Sequence, residues 1–479
     1  LPARAPSRES AFVRARPDPI PLAAWLPVAL TFATLAQTVV GFAPLRPLTL
    51  ALLVVWLAVV LRATRPTERA FLGAAAASAA LLAATSPAWP TLLGTALDRT
   101  TTFVALLTSL GLLRDAARTS RAVRRCGNWL IRQSPTWRFA AIAAGGHGFG
   151  IALNMGAVTL LGTMIRRSNT LAAAGGDAEI VRIREERMNV ALLQGFFSML
   201  AWSPMAISIA YTLSMIPQVR WFDIGPTAAA LSLAFLATGW AVDRIKWPPS
   251  RRRSIPQPGP RPPARHALPM LGIIVGLVAV VLGAKAALGL GMVEAIAWFA
   301  GLFAALWLVA QNLRLGPAAA VAGAARRLRR HAARHVTETR GEQIVMGAAA
   351  FLGVTLAALL TDMGASRWLD ALSPPGAPLA LAIVLFVIVG AQFGVVAFVT
   401  SAVAGGAVMG MATLPMTPFD LVIALQVGWA LSSTLSAWSG GTMLLARILG
   451  RDPSVFRAWN LPWAAACFAL YAVYAFATI

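Results

Sequence analysis

Cysteine is nearly absent: Cys126 and Cys467 are the only two in 479 residues. Two cysteines build neither a disulfide framework nor a thiolate metal site. Histidine is almost as scarce. His147, His266, His331 and His335 form no cluster of the kind a membrane hydrolase or transferase needs, and the last two share one basic stretch. Charge is low too, at 12% of residues, where a soluble domain carries roughly 25%. GGHGFG at 145–150 has glycine at alternate positions but no strand before it, so it is no nucleotide loop, and a primary pump is not indicated.

Apolar sequence fills the space these absences leave. The chain is 58% apolar with a mean hydropathy of +0.70. Runs of about 20 apolar residues recur throughout, the pattern of a polytopic α-helical membrane protein. Spans are expected at 20–42, 46–62, 70–86, 92–113, 187–215, 224–243, 268–288, 290–312, 344–361, 418–449 and 461–478. The first run is too long for a signal-peptide core and lacks a convincing cleavage site. A sequence opening on Leu1 instead of Met reads as trimmed at its start. The formal charge of +23 is concentrated in short segments between apolar runs, as orientation signals are, so no nucleic-acid partner is expected.

Arginine placement sets the topology. Arg4, Arg8, Arg14 and Arg16 precede the first span; Arg62, Arg65 and Arg69 follow the second; segments 114–137 and 166–187 are both basic. Only 138–165 separates those two, and a single crossing there would strand one of them outside. A re-entrant hairpin entered from the cytoplasm resolves this. The linker KWPPSRRRSIPQPGPRPPARH is basic, Pro-rich and cytoplasmic, and the 313–341 loop reads as a basic surface helix. Arg447 and Arg451 then fix the end of 418–449 inside, so 379–412 becomes a second hairpin, from the opposite face.

The order of elements is now the same twice: three spans, a hairpin, a broken span, a closing span. The expected fold is an all-α polytopic membrane protein of about 11 spans and two re-entrant helical hairpins in two inverted-topology repeats. Residues 1–45 hold the tail and an extra span, 46–243 the first repeat, 244–267 the linker and 268–479 the second repeat. The N-terminus is expected in the cytoplasm and the C-terminus in the periplasm, with the chain in a bacterial inner membrane. FGIALNMGAV (Phe149 to Val158) is faintly echoed by FGVVAFVTSAV (Phe393 to Val403).

Both broken spans carry Ala-Trp-Ser followed by a helix breaker, Pro204 in one and Gly440-Gly441 in the other. Unwound backbone in a bilayer is tolerated only where protein or a water-filled cavity supplies partners. Half-helix N-termini favour anionic groups, and free carbonyls and hydroxyls suit Na⁺. Two hairpins and two breaks at the midplane therefore point to transport. Candidate substrate- or ion-binding residues are Asn154, Gly156, Ser203, Pro204, Thr400, Ser401, Ser439, Gly440, Gly441 and Thr442. For each there is a structural alternative: a hairpin cap for Asn154, back-bonding within a helix for Thr400 and Ser401. Trp202 and Trp438 are read as packing or shielding residues. His147 is a candidate for proton coupling or a neutral packed histidine. Gln194, Gln392 and Gln426 could line a path. No catalytic residue, cofactor or metal is expected, apart from Na⁺ as a coupling ion. Asp98, Asp362, Asp370 and Glu294 fall near outer span ends and Asp420 near the start of a broken span, so no midplane carboxylate is found. Lys285 and Glu294 are expected to pair at the surface.

GHGFGIALNMGAV, AWSP, FVTSAVAGG and SAWSGGTMLLARILG make the whole chain resemble the ion transporter superfamily, which includes divalent-anion/Na⁺ symporters, arsenite permease-like proteins and AbgT transporters. The resemblance implies a substrate clamp of hairpin tips and broken-helix loops, elevator-like movement and a homodimer. The dicarboxylate symporters carry Ser-Asn-Thr at both tips; here the tips read Leu153 to Gly156 and Val399 to Ala402, which weakens the case for a dicarboxylate. The expected function is secondary transport of a small organic anion or zwitterion, coupled to Na⁺ or H⁺. A cation/proton antiporter of the same fold is the alternative, and an integral-membrane enzyme or lipid-handling protein a more distant one.

Overall fold

The computed structural model describes residues 21–41, 44–248 and 262–479. Arg4, Arg8, Arg14 and Arg16 and most of the Pro-rich linker lie outside the described residues, as does the side chain of His335. Nineteen α-helices and no strand occur among the described residues. They begin with α1 (Pro21–Val40), α2 (Leu45–Leu61), α3 (Pro66–Thr85), α4 (Trp89–Thr119) and α5 (Arg121–Ile131). Next come α6 (Arg138–Leu153), α7 (Met155–Ser168), α8 (Ala178–Ser198), α9 (Ile207–Met215) and α10 (Trp221–Lys246). Then follow α11 (Leu268–Leu288), α12 (Met292–Ala310), α13 (Pro317–Asp362), α14 (Ala365–Leu372) and α15 (Gly376–Gln392). The last four are α16 (Ala397–Met409), α17 (Pro418–Leu435), α18 (Gly440–Leu449) and α19 (Ser454–Thr478).

The fold is all-helical, polytopic and of membrane type. Six segments are long and apolar enough to cross a bilayer on length and composition alone: Trp221–Lys246, Ala264–Leu288, Met292–Ala310, Thr339–Asp362, Pro418–Leu449 and Ser454–Thr478. Other expected spans escape that measure for visible reasons. α2 has only 17 residues, α4 carries Asp98 and Arg99 inside its length, and 187–215 is divided between α8 and α9. Burial separates the roles of the apolar segments. Pro418–Leu449 is 83% buried, so it forms the centre, whereas Ala264–Leu288, at 17%, faces outward along most of its surface.

The basic 313–341 stretch is not a separate surface element: from Pro317 it runs into the following span as one 46-residue helix, α13. Alanine and arginine are both strong helix formers, so nothing in the local sequence stops it. Nine helices, α2 to α10, are matched in order by α11 to α19. Each series has a long third helix, a short amphipathic one, a helical hairpin, a helix broken in two and a closing helix.

The arms of both hairpins pack on each other, α6 on α7 and α15 on α16. Each first arm also packs against the leading half of the next broken helix, α6 on α8 and α15 on α17. The trailing arms cross over: α7 packs on α18 and α16 on α9. Small residues make the α6–α8 approach close. A Cβ on Gly146 would lie 2.7 Å from the Leu192 carbonyl oxygen, and one on Gly195 would overlap the Ala143 backbone. At one end of the bundle Arg187 pairs with Asp243 at 2.7 Å, Lys246 with Glu186, and Arg451 with Glu185 at 2.7 Å.

Candidate functional site

The first hairpin turns on a single residue. Asn154 is both the last cap of α6 and the first cap of α7, at φ 49° and ψ −133°. Asparagine tolerates positive φ better than other side-chain-bearing residues. Its Oδ1 accepts a hydrogen bond from the Met155 N–H at 2.7 Å, so the buried side chain caps the turn. Gly156 follows on α7, where a Cβ would lie 2.9 Å from Arg114 Cγ.

The second hairpin turns at Phe393 to Val396, not at Val399 to Ala402 as the sequence suggests. Gly394 has φ 80°, and the Val395 N–H reaches back to the Gly390 carbonyl at 3.1 Å. That glycine closes α15 before the polar pair is reached. Thr400 and Ser401 therefore lie one turn inside α16. Thr400 Oγ1 donates to the Ala397 carbonyl at 3.3 Å, the local back-bond typical of threonine. Ser401 is fully buried, and its hydroxyl has no hydrogen-bond partner among the described residues. The two FG echoes are not equivalent positions either: Phe149-Gly150 lies inside α6, whereas Phe393-Gly394 forms the turn.

Both broken helices open where Ala-Trp-Ser predicts. After α8 the chain makes one 3₁₀ turn, Met199–Ala201, and runs non-helically to Ala206. Pro204 removes an N–H there and ends the helix. The exposed carbonyls find partners: Ser232 Oγ donates to Ser198 at 2.7 Å, Ser208 Oγ to Leu200 at 2.7 Å, and Trp221 Nε1 to Trp202 at 2.9 Å. Ser203 is fully buried and its Oγ accepts from the Met205 N–H at 3.2 Å. In the second break Ser439 caps α18, accepting from the Thr442 N–H at 3.3 Å and donating to Thr442 Oγ1 at 2.8 Å.

The second break is where the pieces meet. A Cβ on Gly440 would lie 2.8 Å from Met155 Cε, beside Asn154 on the first tip. One on Gly441 would lie 2.8 Å from Phe197 Cζ, near the end of α8. Gly394 of the second tip faces Trp438, and Ser436 Oγ donates to the Ala391 carbonyl at 2.7 Å. The structure thus groups Asn154, Gly156, Ser439, Gly440, Gly441 and Thr442. Thr400 packs instead against the other arm of its own hairpin, where a Cβ on Gly390 would lie 2.5 Å from Thr400 Cγ2.

His147 lies on α6 with its Nε2 accepting from Trp202 Nε1 at 2.9 Å, the rings stacked at 13°. An indole nitrogen only donates, so that imidazole nitrogen carries no proton. The glutamines do not share one path. Gln194 donates to Asn460 Oδ1 at 3.1 Å, Gln392 to its own helix at Ile388, and Gln426 to Thr212 Oγ1 at 2.7 Å and to the Ser208 carbonyl at 3.1 Å. Lys285 and Glu294 make no ion pair among the described residues; both line a cavity of about 470 Å³.

Two features escaped the sequence. Ser436 ties the second break to the second hairpin, and its only signal is its place just before Ala-Trp-Ser. Phe103, Tyr211, Phe398 and Trp429 come from α4, α9, α16 and α17 and pack edge-on, with centroids 4.7 to 5.9 Å apart. Tyr211 is fully buried there, its hydroxyl unpartnered among the described residues. No spacing rule links four single aromatics from four helices.

Among the described residues, no group of His, Cys, Asp and Glu is placed to hold a metal ion. No protein-family model and no curated protein sequence matches the chain. In fold it is similar to the YdaH transporter of Alcanivorax borkumensis, whose crystal structure reveals an unusual topology. The TM-score is 0.54 and the identity 17%, over 85% of this chain and 97% of that one. The chain therefore shares the architecture of a membrane transporter.

Proposed function

We propose that the protein is a secondary transporter of ion transporter superfamily type, carrying a small organic anion or zwitterion across an inner membrane by symport coupled to Na⁺ or H⁺. The observation that carries this reading is the meeting of both hairpin tips at the second break. Helix starts at the tips and at the two breaks supply donors. α7 and α18 are capped by Asn154 and Ser439, whereas α9 and α16 have no side-chain cap. An uncapped helix start offers N–H groups and positive potential to an anion. The Ser401 hydroxyl on α16, without a partner among the described residues, supports the same reading, since a buried hydroxyl left unpaired costs about 1–3 kcal/mol. Elevator-type motion and a homodimer belong to this proposal through the superfamily resemblance.

The test is thermal stabilisation of the purified protein by organic anions in Na⁺ and in K⁺, repeated for Asn154→Ala and Ser401→Ala. One anion class should stabilise the parent, better in Na⁺, and lose that effect in both variants. No stabilisation by any anion, with a response to Na⁺ or pH alone, would move the antiporter forward. A specific contact favours that second reading: protonating His147 at Nε2 must break its bond to Trp202 in the first break. If His147 couples protons, His147→Gln should flatten the pH dependence of flux in proteoliposomes.

A further inference from the structure

The cavity of about 470 Å³ lies away from every residue grouped at the second break. It opens between the first part of α4, the end of α9, the start of α10, the end of α11 and the start of α12. Its size falls within the roughly 300–1,000 Å³ of small-molecule sites. Five charged residues line it: Asp98, Arg99, Arg220, Lys285 and Glu294. Two are already engaged, Asp98 with Arg46 at 2.9 Å and Arg220 with Asp223 at 3.0 Å. Arg99, Lys285 and Glu294 make no ion pair among the described residues. Arg99 donates one Nη to the Ser214 carbonyl at 2.9 Å, near the end of α9, which leaves the rest of its donor fork for a ligand. Glu294 stands in the first turn of α12, where Gly291 provides no side-chain cap.

We propose that this cavity is a second, separate binding site for a small acidic amino acid or close analogue. Two cations and one carboxylate with no ion pair among the described residues match two carboxylates and one ammonium. The planar Arg99 guanidinium suits one carboxylate, Lys285 takes the other, and Glu294 accepts the ammonium. Phe103 forms an apolar wall for the carbon chain and packs edge-on against Tyr211, with ring centroids 5.7 Å apart. Ala210, Leu213 and Ser214 of the broken helix line the same space, so an occupied site grips α9 directly.

The experiment is calorimetric titration of the purified full chain with L-glutamate, glutarate and 1,5-diaminopentane. L-Glutamate should bind more tightly than glutarate, which lacks the ammonium, and the diamine should not bind. Arg99→Gln should weaken both acids by about tenfold or more, the effect of losing one charge-assisted pair. Glu294→Gln should weaken L-glutamate alone and leave glutarate unchanged. Because Arg99 also holds the Ser214 carbonyl, Lys285→Gln and Glu294→Gln serve as variants with no such bond to lose. Equal binding of the two acids by the parent, or binding of neither, overturns the proposal. So does loss of L-glutamate binding in Asn154→Ala with retention in Arg99→Gln, an outcome that would leave the transporter reading intact. Loss in Arg99→Gln with retention in Asn154→Ala supports the second site whether or not the tip region binds anything.

Discussion

Replacing Gly195 by alanine tests how the first hairpin is seated on the first broken helix. In an ordinary helix the change is favourable by about 0.5–1 kcal/mol, because alanine loses less backbone freedom. At Gly195 the new Cβ would overlap the Ala143 carbonyl oxygen and lie 2.7 Å from its carbon and 2.9 Å from its Cα. These are backbone atoms, so no side chain can rotate away; α6 and α8 must separate. Gly146 meets the Leu192 carbonyl along the same seam, and that contact opens with it. Overpacking of this kind costs about 1–3 kcal/mol. The clash therefore wins, and Gly195→Ala should be less stable than the parent by about 1–2 kcal/mol. Gly73→Ala on α3, where a Cβ meets nothing within 4 Å, should be neutral or slightly more stable. SDS titration of both variants in detergent, followed by circular dichroism, compares their midpoints. Equal midpoints would refute the argument. In proteoliposomes Gly195→Ala should also slow flux, since α6 carries the first tip and α8 the first break.

Asn154→Ala should be less stable than Asn154→Gly by about 1 kcal/mol, because both lose the side-chain cap but only glycine adopts φ 49° without strain. If both lose ligand stabilisation equally, the amide has a role beyond the turn; if glycine retains it, the backbone turn at φ 49° accounts for the effect without the side chain. Asp243→Ala leaves Arg187, whose side chain is only 12% exposed, without its carboxylate, and should lower stability by about 3–5 kcal/mol in the same SDS titration. Ser436→Ala removes a 2.7 Å bond to the Ala391 carbonyl and a 3.1 Å bond from the Trp438 N–H. A loss of about 1–2 kcal/mol is expected, with Ser436→Thr recovering most of it; hydrogen exchange at 436–440 should rise in the alanine variant alone.

Much of the architecture was legible because a bilayer leaves so few choices. Apolar length, basic segments and two interrupted runs forced two hairpins and two broken helices onto the chain. The first break was readable for the same reason, since Pro204 acts on its own backbone. In the second, the break is Ser436 to Ser439, and Gly440-Gly441 open α18 as its first helical residues instead of breaking the helix. Polarity in the sequence points to Thr400-Ser401 for the second tip, but polarity does not make the turn. The turn is made by Gly394, whose left-handed φ is a local conformational matter with no polar signature. The length of α13 was likewise hidden, since a basic stretch and an apolar stretch look like two elements although both form helix.

The sequence by itself determined the helices, the hairpins, the breaks and the residue types gathered near them, because each follows from local backbone chemistry and hydropathy. Tertiary structure decided which of these ends meet. It set the first tip against Gly440 and the second against Trp438, drew four aromatics together from four helices, and left Arg99, Lys285 and Glu294 around one cavity instead of pairing Lys285 with Glu294. Those relations depend on how closely helices far apart in the chain approach, a property of glycine seams and side-chain volumes that no local window contains.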